Sequence, residues 1–154
     1  MSDRHPSVSE LWARFRVQDP EAPETPPAVF HFCDNERDAN LCAELVAAGR
    51  KQATAASLAE LEVAGDKAPE PGDLAVVTDW AGRARAVIRT RSVEIREFQD
   101  VDADFARDEG EGDLSLEWWR EAHEAYYRRV LAGTRHAFSP ELLIACERFD
   151  TVLV

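Results

Sequence analysis

Apolar residues recur at helical spacing in several stretches of this chain and partly alternate in others. Val8, Leu11, Trp12 and Phe15 lie three and four apart, which predicts a helix over residues 7–16 with Ser7 as its cap. Leu41, Leu45 and Ala48 are spaced to share one face of a second helix over 37–48, and Gly49 stands where a helix commonly ends in a left-handed residue. A shorter helical stretch is expected at 57–63. Leu116, Trp119, His123 and Tyr126 form the stripe of a further long helix over 115–131. Strand patterning appears at 29–32, at 73–79 and, after a turn at Asp79-Trp80-Ala81-Gly82, at 83–98. In this last run Val87, Ile88, Thr90, Val93 and Ile95 partly alternate with Arg85, Arg89, Arg91 and Arg96, as in a sheet with one wet face. Residues 142–154 are β-prone and would close the sheet. The segment 18–27 is a Pro-, Glu- and Thr-rich linker, and 100–113 is dense in acids, ending in an acidic loop at 108–113. The fold class is therefore α+β, divided into a helix-and-linker extension at 1–27 and a domain at 28–154.

A length of 154 residues suits one such domain, and 45% apolar with 31% charged residues is a globular composition. Apolar runs fall far short of the roughly 20 residues of a membrane span, and the chain does not open on a basic stretch followed by an apolar one. A cytoplasmic location is expected. Cys33, Cys42 and Cys146 are dispersed, odd in number and without a C-x-x-C pair, which suits reduced thiols better than a disulfide framework or a zinc site. The formal charge of −12 is a poor match for a long polyphosphate, whose affinity comes from Lys and Arg displacing counterions. It favours a small ligand, or a short stretch of single-stranded RNA, held in a local basic pocket.

Two stretches carry candidate chemistry. Ala48-Gly49-Arg50-Lys51-Gln52-Ala53-Thr54 sets two cations and a hydroxyl just past a helix end, with Lys51 and Thr54 three apart in a turn or helical start. The threonine needs a base to become a nucleophile, and a lysine serves as one only if burial lowers its pKa. Complementing the carbonyl end of the preceding helix is the plainer role for Arg50 and Lys51. The second stretch, Asp108-Glu109-Gly110-Glu111-Gly112-Asp113, lacks the full spacing of a calcium loop, and neither metal nor cofactor is expected there. His123 reads as a hydrogen-bonded packing residue, and His31 as a residue that lines a pocket. Trp118, Trp119, Tyr126 and Tyr127 are of a kind that stacks on bases, but their helical spacing is that of packing surface. No phosphate-cradling glycine loop or Ser-His-Asp constellation is present.

Taken in order, these strings resemble the ASCH domain of the PUA-like superfamily. Gly49-Arg50-Lys51-Gln52-Ala53-Thr54 is similar to its Gly-x-Lys-x-x-Thr motif. The segment from Glu109-Gly110-Glu111-Gly112-Asp113 to Trp119-Arg120-Glu121-Ala122-His123 resembles that of its longer bacterial branch. The resemblance covers 28–154. It implies a small PUA-like β-barrel flanked by helices, with a cleft for RNA or a modified nucleoside. Some relatives hydrolyse the N-acyl amide of N4-acetylcytidine through a Lys, Thr and Glu triad, and others are described as ribonucleases. The alternative for this chain is an RNA- or nucleotide-binding module with no turnover or with weak ribonuclease activity. By position Thr54 matches the nucleophile, Lys51 the group that activates it and Glu109 the acid. Glu111 competes for the acid role, while Arg50, Gln52, Glu111 and His31 are expected to bind substrate. No cofactor is implied, and the oligomeric state is left open.

Overall fold

The computed structural model describes residues 4–154. In chain order its elements are α1 (Pro6–Gln18), β1 (Val29–Phe30), α2 (Glu36–Ala47), β2 (Ala53–Ser57), α3 (Leu58–Ala64), β3 (Leu74–Thr78), β4 (Ala84–Glu97), α4 (Ala103–Glu109), α5 (Leu116–Leu131) and β5 (Leu143–Leu153). The start of the N-terminal extension, residues 1–3, lies outside the described residues. Caps fix most helix starts. Asn35 accepts from the Asp38 N–H to open α2, and Ser115 from the Trp118 N–H to open α5. Pro6 occupies the first turn of α1, so the cap there is His5, and Ser7 falls inside the helix.

Five strands pair in the order β1-β3-β4-β5-β2, parallel between β1 and β3 and antiparallel elsewhere. The ladder is open at β1 and β2, so the closure expected of a barrel is not part of it. Alternation along β3 and β4 splits the helices between the two faces. Val76 and Val87 meet Val8, Leu11, Trp12 and Phe15 of α1. Val77, Ala86 and Ile88 point the other way, toward Phe32 and toward Cys42 and Val46 of α2. At the far edge Ala53, Ala55, Ile144 and Cys146 pack under Phe98, Phe105, Trp119 and Tyr127, which brings α4 and α5 over β2 and β5.

Three further expectations differ from this arrangement. Residues 53–57 form an edge strand where a turn or helical start was read. The string Ala-Thr-Ala-Ala-Ser has weak strand character, and its conformation comes from pairing with β5. Residues 103–109 form α4 inside the acidic run, where Asp102 caps the helix and Phe105 and Ala106 supply the buried face. Helix α2 buries Ala39, Cys42, Ala43 and Val46 rather than Leu41, which stays 46% exposed. Its two small alanines let the backbone lie close to neighbouring residues.

The extension is integral to the core. Trp12 is 2% exposed, and its indole N–H donates to the Pro23 carbonyl at 2.9 Å, tying the linker back onto α1. Trp12→Ala is expected to cost roughly 3–5 kcal/mol, read as a lower midpoint in urea unfolding of the full chain. A loss under 1 kcal/mol would show that α1 is only loosely docked.

Candidate functional site

Past the end of α2 the chain is pinned from three sides. The Arg50 and Lys51 N–H groups both donate to the Leu45 carbonyl, the Gln52 N–H donates to Asp108 O at 2.8 Å, and the Gln52 carbonyl accepts from Phe149 N–H at 3.0 Å. This places Lys51 where its side chain runs inward, at 1% exposure. Its Nζ donates to Ala53 O at 2.7 Å, to Glu109 Oε1 at 3.2 Å and to Glu111 Oε2 at 2.8 Å. An ammonium has three protons, so all three are engaged. The Phe32 ring lies 5.1 Å from the same nitrogen.

Two glycines let the carboxylates close over the lysine. Gly110 has φ +71°, and a Cβ there would come within 2.6 Å of the Arg50 carbonyl oxygen. Gly112 has φ +61°, and a Cβ would enter the Trp118 indole. The acidic loop thus lies against the backbone of Arg50 and Lys51, with Glu109 at its root and Glu111 at its lip. Their side chains are 1% and 16% exposed.

Glu109 is enclosed by donors. Its Oε2 accepts from the Trp119 indole N–H and pairs with His123 Nε2 at 2.8 Å. Burial alone would raise its pKa, but Lys51 and His123 override this and hold the carboxyl at about 2. Burial likewise works against the Lys51 ammonium, and the carboxylates of Glu109 and Glu111 more than offset it, so the lysine pKa is raised. The His123 ring stacks on Trp119 at 4.1 Å, and its Nδ1 lies 2.9 Å from the Trp119 carbonyl. A carbonyl oxygen only accepts, so Nδ1 carries a proton while Nε2 faces an ionised carboxylate. That pattern is an imidazolium. Burial opposes the charge, yet Glu109 and its neighbours raise the His123 pKa. The site is therefore a buried quartet of two cations and two anions.

Thr54 stands half-buried on β2, directly opposite Glu147 of β5, so the two side chains share a face of the sheet. Glu147 is 9% exposed and accepts from the Thr90 hydroxyl at 2.7 Å, and burial pushes its carboxyl up. Among the described residues, no hydrogen bond or ion pair joins Thr54, Arg50, Gln52 or His31 to Lys51, Glu109 or Glu111. Arg50 is exposed. Gln52 turns back to donate to the Gly49 carbonyl at 3.0 Å, which makes it a helix-end ligand. His31 is exposed and packs on Trp80 at 4.9 Å. The sequence-predicted group thus divides into a joined trio and four residues outside it.

Two further residues escaped sequence reasoning. The ring of His123 does pack, as expected, but its second nitrogen serves Glu109. Glu147 drew no notice, although an acid at an inward position of Ile144-Ala145-Cys146-Glu147-Arg148-Phe149 breaks the apolar alternation and was the available signal. A surface hollow of about 220 Å³ beside Ser9, Trp12 and Pro26 holds none of these groups.

Two measurements check the charge assignment. Glu109→Gln leaves Lys51 and His123 underpaired in the interior, and a loss of roughly 3–5 kcal/mol is expected in chemical unfolding. The His123 ring should titrate by NMR above its ordinary 6.5. It faces Glu109 from α4, the Glu111 carboxylate and, at longer range, Glu60 of α3. With the folded pKa raised, its stabilisation is complete below the unfolded value and is lost as pH rises through the folded one. A ring titrating at or below 6.5 would refute the imidazolium.

The comparisons with known proteins agree with this architecture. Among curated proteins, nothing matches the chain. An ASCH domain from Lactobacillus crispatus superposes with a TM-score of 0.85 at 28% identity, over 100% of this chain and 99% of that one. Protein EF3133 from Enterococcus faecalis gives a TM-score of 0.85 at 30% identity, over 96% of this chain and 88% of that one. The family model described as ASCH domain matches residues 28–153, which hold the Lys51 cluster together with Thr54 and Glu147. The chain belongs to the ASCH-domain family.

Proposed function

We propose that the Lys51 cluster is the electrostatic centre of an amidohydrolase that removes the acyl group of an N-acylated nucleoside, N4-acetylcytidine or a close analogue. The observation that carries the reading is the buried ammonium held between Glu109 and Glu111. A fixed cation in a water-poor setting favours an oxyanion far more than a solvated one does. Its raised pKa makes it a poor base, so Lys51 acts as the charge that receives the tetrahedral oxygen. Glu109, ionised and fully engaged with donors, anchors that cation rather than delivering protons. A ligand oxygen reaches Nζ by displacing Glu111, the most exposed of its three acceptors.

The proton chemistry then falls to the pair across β2 and β5. The Thr54 hydroxyl attacks the amide carbonyl carbon while its proton passes to the Glu147 carboxylate. The intermediate collapses by breaking the C–N bond, and Glu147 returns the proton to the leaving amine. Water enters by the same route to cleave the acyl–Thr54 ester. The uplift of the Glu147 carboxyl by burial brings it closer to the range in which a group both takes and returns a proton near neutrality.

Surface charge favours a nucleoside over a long RNA. Some of the surface arginines are already matched to acids, as in Arg91–Asp150, Arg96–Asp102 and Arg129–Asp34. A chain of charge −12 with part of its cations so occupied is a poor match for a long phosphate backbone.

Incubation of the purified protein with N4-acetylcytidine should release cytidine. Lys51→Ala and Thr54→Ala should each lower kcat by about 10²-fold or more. Glu147→Gln should lower kcat more than it changes KM, because it acts after binding. Turnover that survives Thr54→Ala would remove the nucleophile from the scheme, and no turnover in the native protein would reject hydrolysis of this substrate altogether.

A further inference from the structure

The structure brings together three groups that the hydrolase reading does not use in this combination. Cys33 and Cys42 lie on either side of the chain reversal into α2. Because the helix starts at Glu36, Cys42 comes to face back toward the loop that carries Cys33. Their sulfurs are 3.5 Å apart, and Cys42 Sγ lies 3.4 Å from Glu111 Oε1. All three donor atoms lie within 4.8 Å of one another.

Two of those spacings lie close to the edges of a coordination tetrahedron. With Zn–S near 2.3 Å and Zn–O near 2.0–2.2 Å, a tetrahedral ion spans an S···S edge of roughly 3.8 Å and an S···O edge of roughly 3.5 Å. The two hydrogen-bonded edges differ from these by a few tenths of an ångström. A disulfide would need the sulfurs at about 2.05 Å. Cys33 also has φ +68°, a left-handed backbone that non-glycine residues rarely adopt, and that backbone carries its sulfur to Cys42.

Charge also balances. One divalent ion entering with the loss of two thiol protons leaves the net charge of the site unchanged. Glu111 offers an oxygen to each side, since Lys51 holds Oε2 and the Cys42 sulfur faces Oε1. Cys42 is 1% exposed, whereas Cys33 and Glu111 are half-buried, which leaves an approach on their side. Two thiolates select a soft or borderline ion over magnesium or calcium.

We propose that Cys33, Cys42 and Glu111 form a binding site for a single zinc-like divalent cation, with a fourth position left to water or a ligand atom. On binding, two S–H bonds break, two metal–sulfur bonds form and two protons leave to solvent, with no change of oxidation state. The Cys-x₈-Cys spacing is too wide for a zinc knuckle, which is why the sequence pointed to reduced thiols instead. This inference goes beyond the hydrolase reading and stands or falls independently of it.

The test uses the full chain, reduced with a phosphine and stripped with a chelator, then titrated with Co²⁺ alone. One equivalent should bind, with a thiolate-to-cobalt charge-transfer band and the visible bands of tetrahedral cobalt, and one equivalent of Zn²⁺ should bleach both. Cys33→Gly suits the left-handed backbone and keeps the fold while removing a sulfur. It should weaken cobalt binding by on the order of a hundredfold or more, as should Cys42→Ser, with circular dichroism unchanged. Cys146→Ser should bind as the native chain does. Cobalt bound in octahedral form without the charge-transfer band would overturn the proposal, as would affinity unchanged in Cys33→Gly. A pair that ignores cobalt and closes to a disulfide under mild peroxide would overturn it too.

Discussion

An ammonium taken out of water is the constraint around which the rest of this domain is arranged. Moving such an ion into a protein interior costs several kcal/mol even after relaxation, and only close, well-aimed acceptors repay it. Lys51 receives a backbone carbonyl and two carboxylates, one for each proton. Each acceptor then makes a demand of its own. Glu109, buried in turn, requires the Trp119 indole and the His123 ring, and these fix the rotation of α5. Glu111 requires a loop that turns sharply enough to lie against the backbone of Arg50 and Lys51, which Gly110 and Gly112 permit. The quartet of charges is therefore a packing rule as well as a chemical one.

The same rule explains what could be read in the sequence and what could not. Local signals sufficed for α1, α2, α5 and the β3–β4 hairpin, because caps, apolar spacing and the turn at Asp79–Gly82 are all contiguous. The strand β2 was hidden: Ala53-Thr54-Ala55-Ala56-Ser57 is extended only because β5 pairs with it. Helix α4 was hidden under a run of acids whose apolar members, Phe105 and Ala106, were too few to announce a periodic face. Resemblance to a family singled out Lys51, Thr54 and Glu109, with Glu111 as a rival for the acid, yet neither spacing nor composition could show that residues 51, 109 and 111 meet. That meeting depends on the contacts of Gln52 with Asp108 and Phe149, which span the chain.

Glu147 and His123 show a further limit. Each occupies a position where the pattern demands an apolar residue, on β5 and on the stripe of α5. Such exceptions are often satisfied by a hydrogen bond and nothing more. What separates these two is their company. Glu147 lies opposite Thr54, and His123 lies against the carboxylate that holds Lys51. A single sequence displays the exception but not the neighbour.

Within the quartet, the two carboxylates are not equivalent. Glu109 accepts from Lys51, Trp119 and His123, so no partner can leave without stranding a buried charge. Glu111 touches Lys51 with one oxygen and the Cys42 thiol with the other, and part of its side chain reaches solvent. It is the one member that can move at modest cost. A cation drawn to the sulfur side would compete with Lys51 for the charge of Glu111 and weaken the 2.8 Å contact that closes over the ammonium. If both proposals hold, the displacement that would admit a substrate oxygen and the coordination that would recruit a metal act on one side chain, so occupancy at either side would alter the other.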